Sequence, residues 1–290
     1  MTGTKPSLLI YGNCQGEHLS HIARHLPDIR DKFAIKIIPP HLVTRADWDT
    51  RFNEAFFADV RVLWNQVETG EPNENRRLLQ ERLPKDCRIV NFPPVILLCL
   101  WPFSGSDPRQ VTAGDYVYPW PDSIGASLDP AVTGEDLPDD ALYDLYMRLT
   151  VEKMPDLERR LRLDATRARA AEALSDIRIW DWIEENFRTT KLSHTSTHLT
   201  AAPFAYLMHR LLALTDGLTP AEIARAQRDS AFLARGSQGQ DVEVVPIHPT
   251  IAERMGLTWY DPNGRHKWRS HFWTHREYIL KYIRWEPFMP

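Results

Sequence analysis

The chain is poor in cysteine, with three among 290 residues, and it carries no excess of positive charge, its formal net charge being −4. Cys14, Cys87 and Cys99 supply no disulfide framework for a protein of this length, and an odd, sparse count suits a reducing cytosol. The acidic balance lacks the basic footprint that general nucleic-acid binding needs. No run approaches the roughly 18 apolar residues of a membrane span. The short apolar run ending at Tyr11, behind the single Lys5, is too small for the core of a signal peptide. There is no Gly-x-x-x-x-Gly-Lys-Ser/Thr phosphate loop, no dinucleotide fingerprint, no repeat and no low-complexity segment. These absences point to a cytoplasmic globular protein without a membrane span or a nucleic-acid partner. At 43% hydrophobic and 26% charged residues it can bury a large core, as one elaborated domain or two.

What is present has a rhythm. Apolar, β-branched runs at 7–11, 33–38, 60–64 and 87–92 alternate with helical patterns at 15–26 and 73–83. Such spacing predicts βαβ units and a short parallel sheet. Residues 95–130 are rich in proline and aromatics (Trp101, Phe103, Tyr116, Tyr118, Trp120), which suits an ordered pocket wall. Helices are expected at 139–151, 155–174, 177–187, 200–214, 220–234 and 274–285. The expected architecture is an N-terminal α/β subdomain, 1–100, embedded in a larger, mainly helical, loop-rich fold. The remainder, 101–290, forms either a second portion or part of one compact domain.

The strand runs end in polar residues: Gly12-Asn13-Cys14, Pro39-Pro40-His41, Asn65-Gln66 and Asn91-Phe92-Pro93-Pro94. Open α/β sheets bind ligands beyond the carboxyl ends of their strands, so these ends gather into one candidate site. Cys14 stands between a strand and a helix whose apolar positions are Leu19, Ile22, Ala23 and Leu26. Glycines permit the turn, and a helix N-terminus favours the thiolate, the nucleophilic form. The competing reading is a buried packing cysteine.

A nucleophilic thiol needs a base. His198, in Thr197-His198-Leu199 before the 200–214 helix, is the first candidate, His194 the second and His18 a third. His194 and His198 lack the intervening Glu of a zinc-protease motif, Thr195 standing there, so no metal site is expected. Asn13, Gln15, Asn65 and Gln66 carry amides suited to a developing oxyanion or a substrate hydroxyl. Arg265, Lys267 and Arg269, with Trp268 between them, could meet phosphates and an aromatic base. The Arg159, Arg160, Arg162, Arg167, Arg169 run, interleaved with acids, reads as a solvated helical face.

The strand into Gly12-Asn13-Cys14-Gln15, the Asn91-Phe92-Pro93-Pro94 segment, the Tyr118-Pro119-Trp120-Pro121-Asp122 block and Thr197-His198-Leu199 together resemble the WcbI family of polysaccharide-biosynthesis proteins. That resemblance implies a mainly helical fold with an α/β subdomain, a deep coenzyme A pocket and transfer of an acetyl group from acetyl-coenzyme A to a capsular sugar. It makes Cys14 the family's motif cysteine. Where the family has Asn-His-Pro, this chain has Thr197-His198-Leu199. The Gly12-Asn13-Cys14 turn also resembles the Gly-Asp-Ser turn of SGNH hydrolases, whose Asp-x-x-His block has no counterpart here.

The leading expectation is a coenzyme A-dependent O-acetyltransferase. Cys14, Asn13 and His198 would carry the chemistry. Gly12, Gln15, Asn65, Gln66, Trp101, His194, Arg265, Lys267, Trp268 and Arg269 would bind ligands. The partners would be a sugar or polysaccharide precursor and other proteins of the same biosynthesis. The rivals are a cysteine-dependent esterase or deacetylase and a non-catalytic carbohydrate-binding subunit.

Overall fold

The computed structural model describes residues 5–107, 109, 120–237 and 239–285. Of the aromatic block, Tyr116, Tyr118 and Pro119 lie outside the described residues. The chain forms two compact units, each discontinuous in sequence. The first comprises Met1–Val95, Thr166–Glu185 and His198–Gln240, and the second Ile96–Ala165, Asn186–Thr197 and Asp241–Pro290.

In the first unit, β1 (Ser7–Tyr11), β2 (Ala34–Ile38), β3 (Val60–Gln66) and β4 (Arg88–Phe92) form one parallel sheet in the order β2-β1-β3-β4. Helices α1 (Cys14–His25), α2 (Pro27–Lys32), α3 (Arg45–Thr50), α4 (Glu54–Phe57) and α5 (Glu74–Arg82) occupy the connections. The four strands match the sequence expectation to within a few residues. Every residue of β1 is buried, as a parallel strand covered on both faces requires.

The expected boundary at residue 100 gives way to a discontinuous one for that same reason: one sheet needs two covers. The helix Ala201–Ala213 packs against β4, and the helix Pro220–Ser237 packs on it and on α1 and α2. Trp64 on β3 donates from Nε1 to Thr215 Oγ1 at 3.0 Å, joining the sheet to the segment after the first of these helices. A second core holds Leu9, Tyr11, Trp48, Phe57, Leu63 and Leu79.

Order β2-β1-β3-β4 means that the chain leaves β1 toward β2 and then returns past β1 to lay down β3. The loops after β1 and β3 therefore diverge at a topological switch point, where an open sheet leaves a crevice at its carboxyl edge. Gly12-Asn13-Cys14 and Asn65-Gln66 lie there.

The second unit is built from helices, among them Asp139–Glu152 and His275–Ile283, and aromatic loops. Its core joins Leu142, Tyr146, Trp268, Trp273, Tyr278, Ile279 and Ile283. The stretch around Arg265, expected only to be non-helical, is a hairpin of β5 (His266–Trp268) and β6 (His271–Trp273). Arg109 joins Asp107 at 2.7 Å and Asp129 at 2.9 Å, while Tyr282 Oη donates to Asp107 at 2.6 Å. Among the described residues no helix is long and apolar enough to cross a membrane.

Leu9 is wholly buried at the centre of the sheet. Leu9→Ala should lower unfolding free energy by about 2–5 kcal/mol, the usual range for such a cavity. Denaturant unfolding of the two proteins measures the difference.

Candidate active site

The carboxyl edge of the sheet is held by a chain of amides. Gln15, fully buried, donates from Nε2 to the Val95 carbonyl at 2.7 Å. Its Oε1 accepts from the Val95 N–H at 3.1 Å and from Gln66 Nε2 at 3.1 Å. Gln66 Oε1 in turn accepts the Asn13 N–H at 2.9 Å. Two glutamines thus pin the turn after β1 to the end of β3 and to the segment after β4. Gly12 fits this arrangement because a Cβ there would lie 3.2 Å from Gln66 and from the Gly16 backbone.

These contacts correct the roles expected for three amides. Gln15 and Gln66 are committed to protein partners. Asn65 is likewise engaged, donating from Nδ2 to Asn91 Oδ1 at 2.7 Å and accepting from Arg76 Nη1. They shape the turn and are not placed to meet an oxyanion. Asn13 differs. Its Oδ1 caps α1 by accepting the Gln15 N–H at 2.9 Å, and its Nδ2 donates to no described protein group.

Cys14 is the first residue of α1 and is partly buried. Burial raises its thiol pKa above the ordinary value. A hydrogen bond from the Gln240 side chain acts against that shift, and the nearby Glu17 carboxylate adds to it. The expectation of a thiolate is therefore corrected: burial is the largest influence on this thiol and favours its neutral form. Cys87 is pushed up to about 11 by burial, and Cys99 further still.

Gln240 is the residue that sequence reasoning missed. Besides reaching the Cys14 thiol, it pairs with Leu199 in both directions. Its backbone N–H donates to the Leu199 carbonyl at 2.9 Å, and its Oε1 accepts the Leu199 N–H at 3.0 Å. Leu199 immediately follows His198. One glutamine therefore ties the thiol to the backbone beside the favoured base. The preceding Gly239 has φ +76°, and a Cβ there would strike the Leu199–Thr200 backbone. A glycine forced by close approach beside a glutamine was the one signal available.

A model of the family described as polysaccharide biosynthesis enzyme WcbI matches residues 7–218, which include the sheet, the Cys14 turn and His198. The chain belongs to the WcbI family. Among solved structures it is similar to one described as "Structural insights into WcbI, a novel polysaccharide biosynthesis enzyme. Native protein without disulfide bond between COA and Cys14". The two share 17% identity over 97% of this chain and 90% of that one, with a TM-score of 0.68, a likeness of fold. No curated protein matches the chain.

Arg76 is a second residue that the sequence reading of this WcbI-family chain passed over. It is buried, stacks its guanidinium over the Tyr11 ring at 4.6 Å, and donates from Nη2 to the Gln66 carbonyl at 2.6 Å. Its signal was its place three residues before Leu79, on the inward face of α5. His18 packs its ring on Phe204 at 4.2 Å. His194 is buried in the second unit, where its carbonyl accepts the Val245 N–H at 2.9 Å. Trp101 also belongs to the second unit, buried among Leu100 and Pro102.

The basic quartet is dispersed by its hairpin. Trp268 is 1% exposed and packs in the core, so it cannot stack on an aromatic base. Lys267 pairs with Asp241 at 3.0 Å, and Arg269 takes φ 54° at the hairpin turn. Arg265 borders a cavity of about 130 Å³ with Lys191, Trp259, Tyr260 and His266. Burial lowers the Lys191 pKa to about 8. Among the described residues, no group of three His, Cys, Asp or Glu side chains could hold a metal ion.

Alkylation should follow the order Cys14, Cys87, Cys99, since thiolate fraction and access set the rate. The rate at Cys14 should rise with pH, with a midpoint above that of an ordinary cysteine because the neutral form is favoured in the fold. Gln240→Ala removes the opposing hydrogen bond and should move that midpoint higher. Iodoacetamide labelling across pH with peptide mapping reads all of this, and faster labelling of Cys99 than Cys14 would contradict it.

Proposed function

We propose that this chain transfers an acetyl group from acetyl-coenzyme A to a hydroxyl of a sugar or polysaccharide precursor, in the cytoplasm, during synthesis of a capsular or surface polysaccharide. Family membership supports the polysaccharide setting. The structural relative supports the donor, for its description names coenzyme A and a cysteine, Cys14, of that protein. This chain's own Cys14 lies at the start of α1, at the switch point of the sheet. The observation that carries the reading is the Gln240 bridge from the Cys14 thiol to the backbone next to His198.

The neutral thiol favours direct transfer over an acyl-enzyme. The sugar oxygen attacks the thioester carbonyl carbon while His198 takes its proton. The carbon–sulfur bond breaks, and the coenzyme leaves as a thiolate that is then protonated. Asn13 Nδ2 supplies a hydrogen bond to the oxyanion, which suits an uncharged donor at a helix entrance. Cys14, held by Gln240, positions the thioester. A second thioester on Cys14 would gain little, because the donor is already activated.

The first two of three measurements separate this from an acyl-enzyme, and the third tests the base that both routes need. Acetyl-coenzyme A without acceptor should leave no stable acetyl mass on the Cys14 peptide. Cys14→Ser should retain substantial transfer, whereas His198→Ala should lose roughly 10²–10⁴-fold, the usual cost of a missing general base. An acetyl-Cys14 adduct that chases onto sugar would establish the covalent route instead. Normal turnover in His198→Ala would remove the assigned base.

A further inference from the structure

The second unit contains a small cavity of about 40 Å³ whose lining includes Trp101, Phe103, Trp120, Tyr278 and His248. Two of these residues carry buried polar atoms without a protein partner. Trp101 is 8% exposed and His248 4%, and among the described residues Trp101 Nε1 and His248 Nε2 make no hydrogen bond. Both are donors. Indole nitrogen can only donate. His248 Nδ1 accepts the Thr250 N–H at 3.1 Å, and burial holds the ring neutral by lowering its pKa to about 4, so the single proton sits on Nε2. A buried donor left unpaired is costly, and two bordering one cavity call for an acceptor.

The cavity also limits what that acceptor can be. An anion would meet neutral imidazoles and the Asp122 side chain, with no cation among the lining residues. A hydroxyl would bring a proton of its own. The strongest acceptor present, Asp122, is already occupied by the Ile124 and Gly125 N–H groups at 2.9 and 2.8 Å and by Tyr146 Oη at 2.9 Å. An uncharged carbonyl satisfies the donors and asks for nothing in return. The space suits about three heavy atoms, since one water-sized group needs roughly 10–15 Å³ of such a cavity, and the aromatic walls suit a methyl group.

We propose that this cavity receives the acetyl group of an acetylated sugar, the carbonyl oxygen accepting from the Trp101 and His248 N–H groups and the methyl lying against the aromatic walls. Choosing a sugar as the carrier rests on the polysaccharide reading above. The acetyl group could belong to an acetamido sugar serving as acceptor or to the O-acetyl product of the transfer.

Calorimetry on the full chain with methyl hexosides of gluco, galacto and manno configuration, each unmodified, N-acetylated and O-acetylated, tests the assignment. At least one acetylated series should bind about tenfold tighter than its unmodified partner. Preference for the amide identifies an acetamido acceptor, preference for the ester identifies product, and both together identify the shared acetyl group. Trp101→Phe keeps the ring and His248→Asn keeps the cap on Thr250, and each should reduce the preference about five- to tenfold. Equal or absent binding of acetylated and plain sugars would show a cavity filled by water alone and overturn the proposal. So would an undiminished preference in both folded variants. The wild-type comparison needs neither variant. Coenzyme A binding measured on the same protein keeps the two readings apart: its loss with the acetyl preference intact removes the transferase, and the reverse removes only this cavity's ligand.

Discussion

The pairing of Gln15 with Gln66 and Val95 is the constraint on which the site depends. A parallel sheet leaves the ends of its strands without ladder partners, and the switch between β1 and β3 leaves a crevice there. Buried amides close that gap from within. Each glutamine offers both a donor and an acceptor, so one side chain can answer an N–H and a carbonyl at once. With Gln66 receiving the Asn13 N–H, the turn before α1 has little freedom to drift from the sheet. Arg76 adds a charge-assisted bond to the Gln66 carbonyl from beneath, with its guanidinium stacked on Tyr11. The position of Cys14 is thereby set by polar groups that a ligand never needs to touch.

Most of the fold was legible because its signal is local. The β-branched runs and the i, i+3, i+4 apolar spacing of α1 fix strands and helices without reference to distant residues. Leu19, Ile22, Ala23 and Leu26, chosen on periodicity, are all essentially buried. The discontinuous units were not legible. Whether the helix Ala201–Ala213 covers the sheet is decided by which apolar faces meet, and periodicity names a face without naming its partner. The hairpin around Trp268 escaped for another reason. Three-residue strands are too short to establish an alternation, and basic residues on both sides of a tryptophan imitate a ligand-binding stretch.

The site was half legible. Cys14 and Asn13 stand out in the sequence because a sharp polar turn after an apolar strand has few structural uses, and both lie at the carboxyl edge of the sheet. Gln15, Asn65 and Gln66 were correctly gathered at one edge, yet their roles were read outward to a ligand when the amides in fact face one another. Residue type gives hydrogen-bonding capacity but not its direction. Gln240 lay beyond reach altogether, for its contact with Cys14 spans most of the chain and no motif surrounds it.

The charge state of Cys14 shows how competing terms settle chemistry. A helix N-terminus contributes on the order of 1 kcal/mol toward an anion, and a neutral amide such as Gln240 adds a single hydrogen bond. Against them stands removal of the thiolate from water, joined by repulsion from Glu17 one turn along the helix. No cationic side chain enters among the causes of the shift. A thiol in that balance remains protonated, where it can still donate or accept a weak hydrogen bond and occupy a defined place. The placement of one half-buried thiol thus favours a Cys14 that keeps its proton and is held in position through Gln240.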